Sequence, residues 1–502
     1  MLWSFVSWNL KRRRDHEEIL SRVKERRELA EEEIDARSAT AAWLAIRDYF
    51  PFLQTPKVET LSGEAIREAI VRTLLSHPHL GTFDRSLPAP LLPAEERRRH
   101  LYVVGKTGSG KTTFLEHLLL SDLTAGRGVG VVGPEGDLFL RLLALLPKER
   151  VGDLVYFAPG NSASPLSFNP LLIEEGEDQS KAAEDLFTIF KRTLDDNLGP
   201  RMEPILQNAF AALVGREPRT FWDVRRILSD AAFRREVTEK ADPYVRDFWR
   251  DTYPRFPEGA ALPILSRLDQ FLRPPTIRHS LCRPLSSFSF RKILGGRKIL
   301  FVNLSGLSEE GRLLLGQMIL SKFQLELMRR ERGGGEAPDF FLYCDEFQSF
   351  AGSSEGVWRE LLSRGRKYGL ALTLANQYPG QLPTALQAEI FGNVNSLISF
   401  ALGRKDAEVV RKELLVKREK KDGVKIEPIE GETLLELPVG DAVAKLAGGR
   451  AVRLSFSPPL KAREAEGERV ARLSWERYPA PETPPPESER MPQIAEPESF
   501  LE

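Results

Sequence analysis

The sequence predicts an α/β fold, a largely parallel sheet covered on both faces and interrupted by an all-helical subdomain. Three observations predict it. A Gly-rich loop, Gly105–Thr112, follows a short apolar run and opens a stretch with helical spacing. Other apolar runs alternate with helical patterns along the chain, and one of them, Phe340–Cys344, ends in the acids Asp345-Glu346. Between them, residues 172–274 hold few strand-like runs and read as helices.

In chain order, the strand candidates are His100–Val104, Gly128–Val132, Leu154–Phe157, Lys298–Val302, Phe340–Cys344, Ala371–Leu374 and Ser396–Phe400. Leu434–Leu437 and Arg450–Phe456 read as a terminal strand pair. Helical spacing spans Phe114–Leu123, Gln179–Leu194, Glu203–Val214, Phe221–Glu239 and Pro243–Trp249, with two more near 308–331 and 356–367. Runs apolar throughout belong to strands buried on both faces. The domain plan is an N-terminal charged helical segment (1–60), a first half of the α/β domain (61–171), an inserted helical domain (172–274), a second half (275–456) and a Pro/Glu-rich tail (457–502) expected to be disordered.

Composition bounds the reading. At 502 residues the chain is too long for one ordinary core. Lys plus Arg number 72, as do Asp plus Glu, so overall charge argues neither for nor against nucleic acid. The two cysteines, Cys282 and Cys344, have no metal-type spacing, which excludes a zinc or disulfide framework and fits a reducing cytoplasm. No apolar run is long enough for a transmembrane helix. The first ten residues carry Trp3, Phe5 and Trp8 ahead of Lys11-Arg12-Arg13-Arg14. Two readings stand: a membrane-surface anchor, or a helix packed on this protein or a partner.

The loop Gly105-Lys-Thr107-Gly108-Ser109-Gly110-Lys111-Thr112, with Thr113 beyond it, fits the phosphate-binding pattern G-x4-G-K-[ST]. Its glycines let consecutive backbone N–H groups turn toward phosphate. Lys111 then bridges the terminal phosphates of ATP, and Thr112 places its hydroxyl on Mg²⁺. Asp345 is the second Mg²⁺ candidate, and Glu346 the base for an attacking water. Gln377, just past the run Leu370–Ala375, can reach a terminal phosphate from a neighbouring strand end. Arg364, Arg366 and Lys367 end a helix; Arg366 is the candidate cation for a phosphoryl group, acting on a neighbouring subunit if the chain forms a ring. Residues 404–421 mix cations and acids as a solvated helix face does, with a DNA contact as the alternative.

Together, His100–Thr113, Asp345-Glu346-Phe347, Gly365-Arg366-Lys367-Tyr368-Gly369-Leu370 and the strand leading to Gln377 resemble the conjugative coupling proteins of type IV secretion, within the FtsK–HerA superfamily of DNA-pumping ATPases. Ser167–Leu171, Phe301–Ser305 and Phe391–Asn395 support the resemblance, which covers about 95–456. It implies a RecA-like motor domain with a helical insertion, and a homo-hexamer with DNA, single- or double-stranded, in its pore. It also implies that Arg366 enters the neighbour's site. Three alternatives remain at this stage: a HerA-like DNA-end-processing motor with a nuclease partner, a secretion ATPase moving protein, and a nucleotide-gated scaffold without turnover. The chain departs from the pattern by lacking membrane-spanning helices, which leaves its first ten residues or a transfer-machinery partner to dock it at the inner membrane face. It departs again at Gly133, where relatives often place an acid before proline, so any role of that acid is lost or moves to Glu135 or Asp137.

Overall fold

The computed structural model describes residues 82–83, 87–88 and 94–478, apart from 194–198, 200, 334–337, 352–354, 421–422, 447–448, 450 and 457. The aromatic first ten residues, the rest of the 1–60 segment and the proline-rich end past 478 lie outside the described residues. The described chain divides into two compact units. Its strands are β1 (Thr82–Phe83), β2 (Leu87–Pro88), β3 (Leu101–Val104), β4 (Gly128–Gly133), β5 (Leu154–Phe157), β6 (Ile299–Asn303), β7 (Phe340–Cys344), β8 (Leu370–Asn376), β9 (Ser396–Ser399), β10 (Leu415–Lys420), β11 (Gly423–Pro428), β12 (Asp441–Lys445) and β13 (Ala451–Ser455).

The first unit takes the described residues up to Leu154, Ile293–Val302 and most of the chain from 338 to Ala471. Its sheet runs β2-β1-β13-β12-β9-β3-β8-β7-β4-β6. Strands β9, β3, β8, β7 and β4 are mutually parallel. They are buried along their whole length, as a sheet with helices on both faces requires. Parallel alignment brings their carboxyl ends to one edge: Val104 pairs with Asn376, and Cys344 with Leu374. Gly105, Asp345 and Gln377 therefore follow their strands at the same edge. Strands β12 and β13 continue the sheet antiparallel beyond β9.

The second unit takes Val155–Lys292, Asn303–Gly333 and the described residues from Arg472. It thus reaches to either side of the 172–274 insertion expected from sequence. Helix Gln179–Thr193 packs against Met202–Leu213 and against the long helix Glu309–Gly333. Phe190, Phe210, Phe221 and Phe271 meet ring to ring in its core.

Four expectations are corrected. Phe221–Glu239 is two helices, not one, because the Asp230 carboxylate accepts from the Ala232 and Phe233 N–H groups and caps a new start. Leu434–Leu437 is not a strand: Gly431–Leu435 is helical, and the strand is Asp441–Lys445. Burial in the sheet overrides the modest strand preference of its alanines. Residues 404–421 are a short helix, Arg404–Val410, followed by a hairpin of β10 and β11. The tail is not disordered throughout, since Glu464–Arg477 is helix. Composition misplaced it because its apolar residues are few. Within the first unit, Gly467 lies so close to the Leu140 carbonyl that a Cβ would come within 2.4 Å. Within the second, Trp475 stacks on Tyr156 at 5.7 Å and donates to its carbonyl.

Candidate active site

The phosphate loop leaves β3 and enters helix Lys111–Thr124 through two residues with left-handed backbone, Gly108 (φ 77°) and Gly110 (φ 108°). Only glycine adopts such angles without strain. Space is equally restrictive: a Cβ on Gly105 would stand 2.5 Å from Cβ of Phe400. Lys106, Thr107 and Gly108 are exposed, Thr112 and Thr113 half-buried. Two bonds hold the loop from behind, Lys106 N–H to Ala401 O and Gly440 N–H to Ser109 O.

Lys111 begins the helix and points its ammonium at the end of β7. Its Nζ lies 3.0 Å from Oδ1 of Asp345 and also donates to Oε1 of Glu346. All three side chains are buried. Burial opposes the lysine charge, but the two carboxylates outweigh it and hold the Lys111 pKa above its ordinary value. Burial raises the Asp345 carboxyl, Lys111 opposes that shift, and repulsion from Glu346 adds to it. Glu346 stands at φ 44°, a left-handed angle that costs a non-glycine residue about 1–3 kcal/mol. The turn is pinned by Phe347 N–H to Ala375 O and Ser349 N–H to Glu346 O. Gln348 donates to the other Glu346 oxygen at 2.6 Å.

Oδ2 of Asp345 and Oγ of Ser109 are buried with no hydrogen-bond partner. An orphaned carboxylate oxygen fits a hard divalent cation, and an orphaned hydroxyl on a glycine loop fits a phosphate oxygen. A Cβ on Gly133 would stand 3.3 Å from the Asp345 backbone oxygen and 3.5 Å from its Cβ, so this strand end lies against the Asp345 turn. Glu135, two residues on, feels the same cluster. Burial raises its pKa and the Asp345 charge adds to the shift.

Gln377 is half-buried at the carboxyl end of β8, on the same edge as the loop. Arg366 is not brought to this cluster. It is exposed on the tight turn Gly365–Tyr368 before β8. The seven residues of β8 put about 20 Å between that turn and the edge that carries Gly105, Asp345 and Gln377.

Sequence reasoning missed the supports. Tyr102 OH donates to Asn376 Oδ1 at 2.9 Å, and Asn376 Nδ2 donates to Tyr378 O, which fixes the chain around Gln377. The Gln381 side chain accepts from the Gln377 and Tyr378 N–H groups. Beneath the site, Arg97 donates at 2.6 Å both to Asp122 and to the Tyr343 hydroxyl, which itself bonds Asp122. That buried triad ties the end of the loop helix to β7, two residues before Asp345. No local pattern announces it, since its members lie 25 to 246 positions apart.

No protein-family model and no curated protein matches the sequence. Solved structures do share its fold. The unbound bacterial conjugative coupling protein TrwB aligns with a TM-score of 0.55 and 16% identity, over 78% of this chain and 92% of that one. The plasmid coupling protein TrwB in complex with ADP and Mg²⁺ gives 0.56 at 16% identity, over 79% and 93%. VirB4 of Thermoanaerobacter pseudethanolicus gives 0.53 at 16%, over 78% and 98%. The RecA-like P-loop architecture is therefore that of these proteins.

Proposed function

We propose that the chain is an ATPase that assembles as a ring and couples ATP hydrolysis to DNA translocation in conjugative transfer between cells. The observation that carries the ATPase reading is Lys111, held by Asp345 and Glu346 at the head of the loop helix. The fold shared with TrwB, a coupling protein solved with ADP and Mg²⁺, supports the transfer reading. Each side chain then has one task. Residues Gly105 and Thr107–Thr113 cradle the phosphates, and Lys111 exchanges its carboxylate bonds for phosphate oxygens. Thr112 and Asp345 would hold Mg²⁺, which supplies positive charge to those oxygens. Glu346 orients the water and takes its proton, from a turn whose backbone is already fixed. Gln377, braced through Asn376 and Gln381, contacts the terminal phosphate and passes its presence to β8.

Arg366, exposed and far from its own chain's loop, serves the site of an adjacent subunit, so a closed ring completes every site. Homo-hexamer, a DNA track and docking to transfer machinery at the inner membrane face complete the proposal. Among the described residues no helix is long and apolar enough to cross a membrane. Glu346→Gln tests the site: it keeps the side chain's shape but removes its charge and its capacity to take a proton, and ATP is expected to remain bound and uncleaved in a single-turnover assay. Hydrolysis at the wild-type rate would remove Glu346 from the mechanism.

A further inference from the structure

We propose that Gln348 takes part in the hydrolytic step: its amide N–H holds Glu346 once Lys111 has turned to phosphate, and its carbonyl oxygen receives a hydrogen of the attacking water. The inference rests on the nucleotide reading of the site and adds a residue to it. A side chain holds each oxygen of the Glu346 carboxylate. Lys111 donates to Oε1, and Gln348 Nε2 donates to Oε2 at 2.6 Å. The first hold is given up to ATP, because Lys111 then serves phosphate oxygens. The second remains, and a hydrogen bond to an ionised acceptor is of the stronger kind. Gln348 lies two residues past Glu346, on a turn fixed by Phe347 N–H to Ala375 O and by Ser349 Oγ to Glu346 O at 2.8 Å. The grip on Glu346 therefore starts from a settled backbone.

The other end of the same amide is a second, independent observation. Gln348 Oε1 is buried and has no hydrogen-bond partner. Flipping the amide does not cure this, because it would set Oε1 against the Glu346 oxygen, acceptor against acceptor. A buried carbonyl oxygen left bare costs stability, so its retention points to a donor that comes from outside the protein. Mg²⁺ and an ionised phosphate donate no hydrogen bond; water does. The oxygen and nitrogen of one carboxamide share a carbon, so Oε1 stays close to the carboxylate that deprotonates the water. The water has two hydrogens, and Glu346 takes one. As the water oxygen bonds the terminal phosphorus, the bond to the leaving phosphate oxygen breaks and one proton passes to Glu346. The second hydrogen stays on the attacking oxygen, bonded to Gln348 Oε1. Asp345 Oδ2 and Ser109 Oγ are bare in the same way. The three orphaned atoms thus match the three things the reaction needs: a metal, a phosphate and a water.

The test uses the full chain at about pH 8, where a glutamate is ionised. It reads kcat for ATP and, by calorimetry, the affinity for a non-hydrolysable ATP analogue with Mg²⁺. Gln348→Leu loses both donor and acceptor, Gln348→Lys keeps a donor alone, and Gln348→Glu keeps an acceptor alone. Each is expected to lower kcat about thirtyfold or more, the loss of a hydrogen bond to a charged group, with analogue affinity unchanged. Gln348→Glu at the wild-type rate overturns the hold on Glu346, and Gln348→Lys at that rate overturns the bond to water. Gln348→Leu at that rate overturns both. Equal losses of kcat and analogue affinity in Gln348→Leu also overturn the proposal, since the residue then only shapes the turn. A wild-type chain that neither binds the analogue nor cleaves ATP overturns the nucleotide reading itself.

Discussion

Lys111 Nζ and Asp345 Oδ1 stand 3.0 Å apart with both side chains nearly closed to solvent, although 234 positions separate them in the chain. This contact ties the phosphate loop to the end of β7 and is as much a part of the fold as of the site. Lys111→Ala should therefore do more than remove a phosphate ligand. It leaves two carboxylates buried without their cation, which costs about 3–5 kcal/mol. Denaturant titration should show that loss. Adding Asp345→Asn to Lys111→Ala should return part of it, since the uncompensated charge is then gone.

His100 gives the pH dependence. Its Nδ1 accepts from Leu372 N–H, and its Nε2 bonds the Leu362 carbonyl at 2.9 Å, which fixes one neutral tautomer. Burial lowers its pKa from 6.5 to about 4, with the charge of Arg366 assisting and the Leu362 bond opposing. The unfolded chain thus binds the proton more readily than the fold. Stability contributed by neutral His100 is complete above pH 6.5 and falls as pH drops toward 4, by about 3 kcal/mol. Unfolding free energies measured across that window should slope in the wild type and slope less in His100→Gln.

Arg366 is exposed at the opposite end of β8 from Gln377. If it works on a neighbour, Arg366→Ala should lower turnover about a thousandfold with little change in ATP affinity. Mixing Arg366→Ala with Lys111→Ala chains should recover activity, because a sound loop then meets a sound arginine at some interfaces. Mixtures no more active than the parent variants would place Arg366 outside the shared site.

The helix Glu464–Arg477 makes a prediction that a disordered tail would not. Trp475 stacks within 12° of parallel on Tyr156, and Ser474 Oγ accepts from Tyr156 N–H. Trp475→Ala should lower the unfolding free energy by about 1–3 kcal/mol. Thermal melts of this variant matching the wild type would return the segment to the status composition gave it.

Much of the candidate site's edge was legible in the sequence because it is local. The loop glycines, the buried runs of β3, β7 and β8 and the acids after Cys344 each declare themselves within a few residues. What could not be read is non-local or depends on tertiary burial. Asp441–Lys445 becomes a strand through pairing with β9 and β13, not through its own alanines. Asp230 breaks a helix through its carboxylate, although the periodicity around it runs on. The bond from Gly440 to Ser109 spans the whole domain, and nothing near either residue forecasts it.

The most direct measurement is the steady-state ATP hydrolysis rate of the full chain, alone and with single- or double-stranded DNA, beside Glu346→Gln. A rate that rises with at least one form of DNA and vanishes in Glu346→Gln is the expected result. Hydrolysis indifferent to both forms of DNA would contradict the proposal that this ATPase moves DNA.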